Sequence, residues 1–148
     1  MLATTLISAL LSFTAPQGQA VVQGGPPPAP VPRTAPAKLP DSPQGKQVQA
    51  YIDAFNTGDE AKFLKAQESI MAEEALAKRP AADRAKMFGR LRGDFGTFKV
   101  LRAVAAANQI RVVMPDKDGN EAIFSFDLDA KAPYKIKSIG IDIGNVER

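Results

Sequence analysis

The chain has 148 residues, a net charge of +3, and neither cysteine nor histidine. This length fits one ordinary domain with a single core, and the modest, interleaved charge gives no basis for strong nucleic-acid affinity. The missing thiols and imidazoles exclude disulfides, cysteine nucleophiles, histidine acid–base chemistry and the usual zinc ligand sets. The sequence therefore predicts no cofactor and no metal, and any ion site would need oxygen ligands.

The first twenty residues predict an export signal. They are apolar from Leu2 to Phe13, carry no charged side chain, and end in Gly18-Gln-Ala20, small residues that a signal peptidase accepts. We expect cleavage after Ala20 and a periplasmic or secreted mature protein. No later apolar run approaches the ~20 residues of a membrane span. The sequence thus predicts an extracytoplasmic protein with no spanning helix.

Residues 21–42 predict a disordered linker. Prolines recur through this segment, with Gly, Ala and Gln between them and few side chains that could form a core. Such a composition favours extended polyproline II, which gives a tether of ~3.1 Å per residue. We therefore expect the folded domain to occupy residues 43–148.

The first predicted helix begins at Ser42-Pro43, where a capping side chain precedes a proline suited to the first turn. Its apolar residues recur at i, i+3, i+4 and i+7, which predicts one buried face made of Val48, Tyr51, Ile52 and Phe55. Gly58 is predicted to take the left-handed position after this helix, and Asp59 to cap the second helix, over residues 59–68.

Two further helices are predicted before the sheet. Ser69 is a candidate cap for a third helix over residues 70–78, which Pro80 interrupts because proline lacks the amide hydrogen. The fourth helix is predicted to bury Phe88, Leu91 and Phe95, and to end between Gly93 and Gly96.

A basic group lies on the outward face of the fourth helix and at its start. Arg79, Lys86 and Arg90 line up there, with Arg84 and Arg92 beside them. An anionic partner could dock on this face, although a solvated helix face is also usually charged. No aromatic residues interleave with the basic ones, so the stacking platform that binds single-stranded nucleic acid is missing.

The remaining sequence predicts an antiparallel sheet. Apolar residues alternate with period two from Phe98 to Val104, from Ile110 to Met114 and from Ala122 to Leu128, which places Asp127 on the solvent side. Asn108 and Gly119 are predicted to take the left-handed positions of the two hairpin turns.

The last predicted strand carries isoleucines at 136, 139, 141 and 143. Its alternation breaks between Lys137 and Ser138, which predicts a β-bulge that bends the sheet around a helix. Helices followed by an antiparallel meander predict an α+β fold, a cone in which N-terminal helices pack on a curved four-stranded sheet.

The turn between the second and third strands contains Asp116, Asp118 and Asn120. Such oxygen-bearing residues occur in calcium loops, but an EF-hand needs its glycine and closing glutamate at other offsets. We therefore expect a plain turn.

The segment Tyr51-Ile-Asp-Ala-Phe-Asn-Thr-Gly-Asp59, followed by Phe63, resembles the opening helix of the NTF2-like superfamily, which is also called cystatin-like and includes SnoaL-like proteins and ketosteroid isomerase. Residues 39–45, the break at Pro80 and the helix end at 88–96 are similar to a domain found beside serine hydrolases of the β-lactamase or tail-protease type in exported bacterial proteins. The resemblance covers residues 39–143. It implies a cone-shaped fold, and we expect any such hydrolase activity to be lacking or to be supplied by another chain.

The sequence leaves three functions open. The favoured one is an accessory or binding domain that holds a small hydrophobic ligand or a protein partner, with candidate pocket residues Tyr51, Phe55, Phe88, Phe124 and Phe126. The second is an enzyme of the ketosteroid isomerase or SnoaL-like type, with Tyr51 as hydrogen-bond donor and Asp94 or Asp127 as base. The resemblance implies an acidic base after the second helix, for which Glu68, Glu73 and Glu74 offer no clear counterpart. The third is a structural module that forms a homodimer through the sheet face.

Overall fold

A computed structural model of the protein describes residues 30–143. Four helices precede four strands, with bounds α1 Pro43–Asn56, α2 Glu60–Ile70, α3 Glu73–Lys78, α4 Ala81–Phe95, β1 Arg102–Ala106, β2 Gln109–Pro115, β3 Glu121–Leu128 and β4 Ile136–Ile143. The strands form one antiparallel sheet in sequence order. The predicted α+β class, with helices packed on a curved antiparallel sheet, is confirmed. The predicted export signal and residues 21–29 lie outside the described part.

The helix boundaries follow the capping residues, with one exception. The Ser42 hydroxyl accepts from the Gly45 amide, the Asp59 carboxylate accepts from the Lys62 amide, and Gly58 has φ of 72°. The prediction that Ser69 caps the third helix is wrong. Ser69 lies inside α2 and its hydroxyl donates to the Ala66 carbonyl, while α3 begins after Ala72 without a side-chain cap.

The hairpin turns match the prediction at one of two positions. Gly119 has φ of 84°, as expected, but the left-handed residue of the β1–β2 turn is Ala107, with φ of 51°. Asn108 follows it in the turn, and its carbonyl accepts from the Leu128 amide at 2.8 Å, which ties the turn to β3. A backbone hydrogen bond to β3 thus fixed the turn one residue earlier than side-chain preference suggested.

The first strand begins later than the alternation predicts, at Arg102 rather than Phe98. The Asn56 side chain accepts from the Phe98 amide at 2.7 Å and donates to its carbonyl at 3.0 Å. Both backbone groups of Phe98 are thereby used outside the sheet, and its ring is buried in the core. Residues 98–101 therefore form a connection pinned to the end of α1.

The main core lies between the helices and the concave face of the sheet. The stripe predicted for α1 is buried, as are the inward residues of β2 and β3, among them Val112, Met114 and Phe124. Phe55 and Phe98 stack with ring centroids 3.8 Å apart. Most other ring pairs in this core meet edge to face, the arrangement that aromatic quadrupoles favour.

A second, smaller core covers part of the convex face of the sheet. Val31 packs there against Val113 and Ile123, and all three are buried. The chain then passes the β1 edge, where the Pro36 carbonyl accepts from the Ala103 amide, and Leu39 reaches the main core. The predicted linker is therefore attached to the domain over residues 30–42, which differs from the disorder expected for it.

The β4 edge is covered along only part of its length. Met71 forms a parallel bridge with Ile136, and the Ala72 amide donates to the Ile136 carbonyl at 2.8 Å. The register of β3 and β4 shifts at Asp127/Leu128, which confirms the predicted bulge because Ser138 pairs with Asp127 and Ile136 with Leu128. No helix within residues 30–143 has the length and apolar character that crossing a membrane requires.

Candidate functional site

The five aromatic residues predicted to line a pocket come together in the main core. Tyr51, Phe55, Phe88, Phe124 and Phe126 are between 0% and 6% exposed. Their rings contact one another between the helices and the sheet. The ring centroids of Tyr51 and Phe126 are 5.6 Å apart, and those of Phe55 and Phe88 are 5.5 Å apart. This part of the interior is filled by the protein's own side chains, so a ligand would reach these rings only if helices moved away from the sheet.

The Tyr51 hydroxyl belongs to a buried polar chain. Burial raises the pKa of the Tyr51 phenol, which the positive charge of Arg79 and a hydrogen bond with Gln67 only partly offset. The buried Gln67 in turn accepts from the Arg84 guanidinium at 3.2 Å. A phenol held protonated by burial can donate a hydrogen bond, but it cannot serve as a base near neutral pH.

The carboxylates considered as general bases lie away from this phenol. Asp94 is exposed on α4. Asp127 is half-buried on the convex face, where it accepts from Gln109 at 2.9 Å and from Ser138 at 2.7 Å. Because Tyr51 contacts Phe126 on the concave face, the sheet separates its hydroxyl from Asp127. Glu68, Glu73 and Glu74 are exposed. None of these placements brings a carboxylate and the phenol to one reaction centre.

The basic group near α4 divides into exposed and packed members. Arg79, Lys86 and Arg90 are exposed, as predicted, although an Arg79 nitrogen lies 3.3 Å from the Met87 sulfur. Arg84 is buried, and its Nε donates to the Arg79 carbonyl at 3.0 Å. The guanidinium carbon of Arg92 lies over the Phe55 ring, 5.6 Å from the ring centroid. Two of the five cations therefore stabilise the packing of α4, and the other three are exposed.

An open groove of about 640 Å³ lies at one end of the sheet. Three elements supply its walls, namely the start and end of α3, the β1–β2 turn, and the bulged part of β3 and β4. Its polar lining residues are Glu74, Lys78, Asn108, Gln109, Asp127, Lys137 and Ser138. The Asp127 carboxylate fixes Gln109 and Ser138 in place, so part of the groove is held by hydrogen bonds before any ligand arrives.

Sequence reasoning did not find this groove, because its residues come from segments that are distant along the chain. Glu74 and Ser138 are brought together by the pairing of Met71 with Ile136, which no local pattern announces. The bulge predicted between Lys137 and Ser138 was the one available signal, since bulges often re-aim side chains beside functional sites.

The Asp116 turn is held by its own side chain. One Asp116 oxygen accepts from the amides of Asp118 and Asn120, and the other from the Asn120 side chain. These bonds lower the pKa of Asp116, with the Asn120 side chain contributing most. Among residues 30–143 no group of acidic side chains is clustered as a metal site would require.

A scan of the chain against protein-family models finds no match, and a search of curated proteins gives no significant match. Function is therefore inferred from the geometry of the groove and the core.

Proposed function

We propose that this chain is an exported, non-catalytic accessory domain that binds a separate protein partner, and that its fold is of the NTF2-like type. The observation that carries the proposal is the contrast between the closed core and the open groove. A cone that held a hydrophobic ligand would leave space beside Tyr51, whereas here aromatic rings occupy that space. The outer surface remains for recognition.

The groove suits a polar segment of a protein better than an apolar small molecule. Glu74 and Asp127 supply negative charge, Lys78 and Lys137 supply positive charge, and the remaining polar lining offers amide and hydroxyl groups. Small-molecule sites are mostly apolar with a few polar groups, which is the opposite balance. A peptide segment with both signs of charge would find complementary partners along this lining.

The groove can be tested by charge reversal. We expect a photo-crosslinking amino acid at Ser138 to capture a defined protein from the extracytoplasmic fraction of the source cells. Lys78→Glu should abolish this capture, because it places a third negative charge in the groove. Lys86→Glu, at another exposed lysine on α4, is the matched control and should leave capture unchanged. If Lys86→Glu abolished capture and Lys78→Glu did not, the partner would be assigned to the basic face of α4.

The closed core can be tested with ligands. We expect a 3-oxo-Δ5 steroid neither to raise the melting temperature nor to be isomerised. Tyr51→Phe should keep the fold and cost about 1 kcal/mol, because Gln67 loses one hydrogen-bond partner. Steroid turnover that disappears in Tyr51→Phe at unchanged stability would refute the non-catalytic proposal and establish the isomerase alternative.

The export part of the proposal has its own test. Amino-terminal sequencing of the protein from the extracytoplasmic fraction should give Val21 as the first residue, because Gly18 and Ala20 fit the cleavage preference. An uncleaved form confined to the cytoplasm would contradict it.

A further inference from the structure

The outer half of β4 is an exposed strand edge that carries isoleucines. Residues 139–143 extend beyond the bridge with Met71, and Ile141 and Ile143 are 39% and 65% exposed. They are the only large apolar side chains of residues 30–143 that are exposed to this degree. Sheet edges in natural proteins are usually blunted by lysine, proline or a covering segment. The β1 edge has such a cover at Pro36, and the start of β4 has one at Ala72. Residues 139–143 have neither proline nor lysine.

Successive residues of an antiparallel strand direct their backbone N–H and C=O groups to opposite sides, so the known hydrogen bonds show which residues of β4 have outward-facing backbone groups. The Leu128 amide donates to Asn108, so Leu128, Phe126 and Phe124 direct their backbone groups toward β2. Ile139 and Ile141 pair with Phe126 and Phe124, and Ile143 pairs with Ala122. Because the β3 residue of each pair directs its backbone groups toward β2, the backbone N–H and C=O of Ile139, Ile141 and Ile143 point outward, away from β3. The bond from Ala72 to the Ile136 carbonyl, on the same outer side, agrees with this assignment because Ile136 pairs with Leu128.

We infer that this edge pairs with the same edge of a second copy of the chain, antiparallel and about a two-fold axis at Ile141. In this register Ile141 lies opposite Ile141 of the other copy, and Ile139 lies opposite Ile143. Three rungs then form in which both residues direct N–H and C=O at each other, with two hydrogen bonds per rung. The two sheets join into one of eight strands, and the isoleucines form a continuous row on its concave side.

Charge and face both suit a second copy. Because opposite residues in an antiparallel pair point to the same side, each exposed isoleucine meets another isoleucine and leaves water. The only charged residue in the segment is Asp142, and this register places it opposite Gly140, so no two carboxylates face each other. Five residues per copy bury little surface, and we therefore expect an equilibrium between monomer and dimer at about 10 to 500 µM rather than an obligate dimer.

Single-cysteine variants test the register, since the natural chain has no cysteine. Residues opposite each other in a hydrogen-bonded pair have Cα atoms about 5.5 Å apart, within the range that a disulfide spans. Under mild oxidation Ile141→Cys should therefore form a covalent dimer. Ile143→Cys is more exposed, but the two copies of residue 143 lie four residues apart along the strands, about 13 Å. It should cross-link at least tenfold more slowly by itself, yet link readily when mixed with Ile139→Cys.

Sedimentation of the full chain supplies an independent measurement. Wild type should shift from monomer to dimer as concentration rises from about 10 to 500 µM, the range expected for so small an interface. Ile141→Lys should remain monomeric with an unchanged circular dichroism spectrum, while Lys86→Glu on α4 should dimerise like wild type. A wild-type monomer throughout this range would overturn the proposal. Faster cross-linking of Ile143→Cys than of Ile141→Cys would also overturn it, because the cross-linking rate would then reflect side-chain exposure and random collision instead of the proposed register.

Discussion

The two faces of the sheet are covered in different ways, and the difference explains which parts of the structure are predictable. On the concave face, α1, α2 and α4 place a continuous set of aromatic and aliphatic side chains against β2 and β3. On the convex face, one short segment places Val31 over Val113 and Ile123 and leaves a polar remainder with Asp127 and Arg111. Stability is therefore expected to come mainly from the concave side, and surface recognition to use the other side and the ends of the sheet.

The concave face should show the largest response to mutation. Phe55 is 0% exposed and contacts Phe63, Phe88 and Phe98. We expect Phe55→Ala to lower the free energy of unfolding by about 3–5 kcal/mol, the range for removing a buried ring. Urea denaturation followed by circular dichroism measures this change.

The matched control lies beside the buried stripe of the same helix, at the half-buried Gln47. Gln47 donates one hydrogen bond to the Pro133 carbonyl, and Gln47→Ala should cost under about 1 kcal/mol because that bond is exposed. Equal urea midpoints for the two variants would mean that the buried side of α1 has been misassigned.

Mutation where the chain passes from the convex face into α1, at Gly45, should change stability less. A Cβ added at Gly45 would overlap the Pro40 carbonyl oxygen, so the chain that leads from the convex face into α1 would have to move. We expect Gly45→Ala to destabilise the protein by about 1–3 kcal/mol. Gly89→Ala, where nothing lies within 4 Å, should instead stabilise α4 by about 0.5–1 kcal/mol. If Gly45→Ala left the melting temperature unchanged or raised it, the close approach at Gly45 would be disproved.

The convex core should respond less than the concave one. Val31 is 7% exposed and belongs to a cluster of three buried side chains. We expect Val31→Ala to cost about 1–2 kcal/mol, from the loss of roughly two buried methyl groups. Ala37→Ser, at an exposed position of the same segment, should be neutral. No change in the urea midpoint of Val31→Ala would show that residues 30–36 are detached in solution.

The smallest expected effect is the pH dependence of an ion pair on the convex face. A guanidinium nitrogen of Arg102 lies 2.7 Å from a carboxylate oxygen of Glu121. Arg102 lowers the pKa of the Glu121 carboxyl below its usual value of 4.5, mainly through the side-chain hydrogen bond. A carboxyl whose folded-state pKa is lowered contributes stability above its ordinary pKa, and that stability is lost as the pH falls through the lowered pKa. Glu121→Gln should therefore cost up to about 1 kcal/mol at pH 7 and little in acid.

Urea midpoints measured at neutral and acid pH check this sign. The exposed Glu68→Gln on α2 serves as the control and should change little at either pH. A cost for Glu121→Gln that grows as the pH falls would contradict the assigned direction of the pKa shift.

Much of the concave side follows from sequence because the relevant signals are local. Helix caps at Ser42 and Asp59, the positive φ of Gly58 and Gly119, and the apolar stripe of α1 depend on residues within one or two turns. The alternation in β2 and β3 and the parity break in β4 likewise identify the strands, their inward faces and the bulge without knowledge of their partners.

Only tertiary structure could decide the remaining features, because each depends on a contact between distant segments. Asn56 holds Phe98 and shortens the first strand, and the backbone bond from Leu128 to Asn108 moves the left-handed residue to Ala107. Val31 packs against Ile123, more than ninety residues later in the chain, and the proline-rich composition around Val31 does not predict that its side chain is buried. The groove has the same origin, since α3, the β1–β2 turn and the bulge are separate in sequence and meet only when the sheet closes against α3. Local patterns fix which residues form an element and which face is apolar, whereas pairing between remote segments decides what covers each face and what remains open.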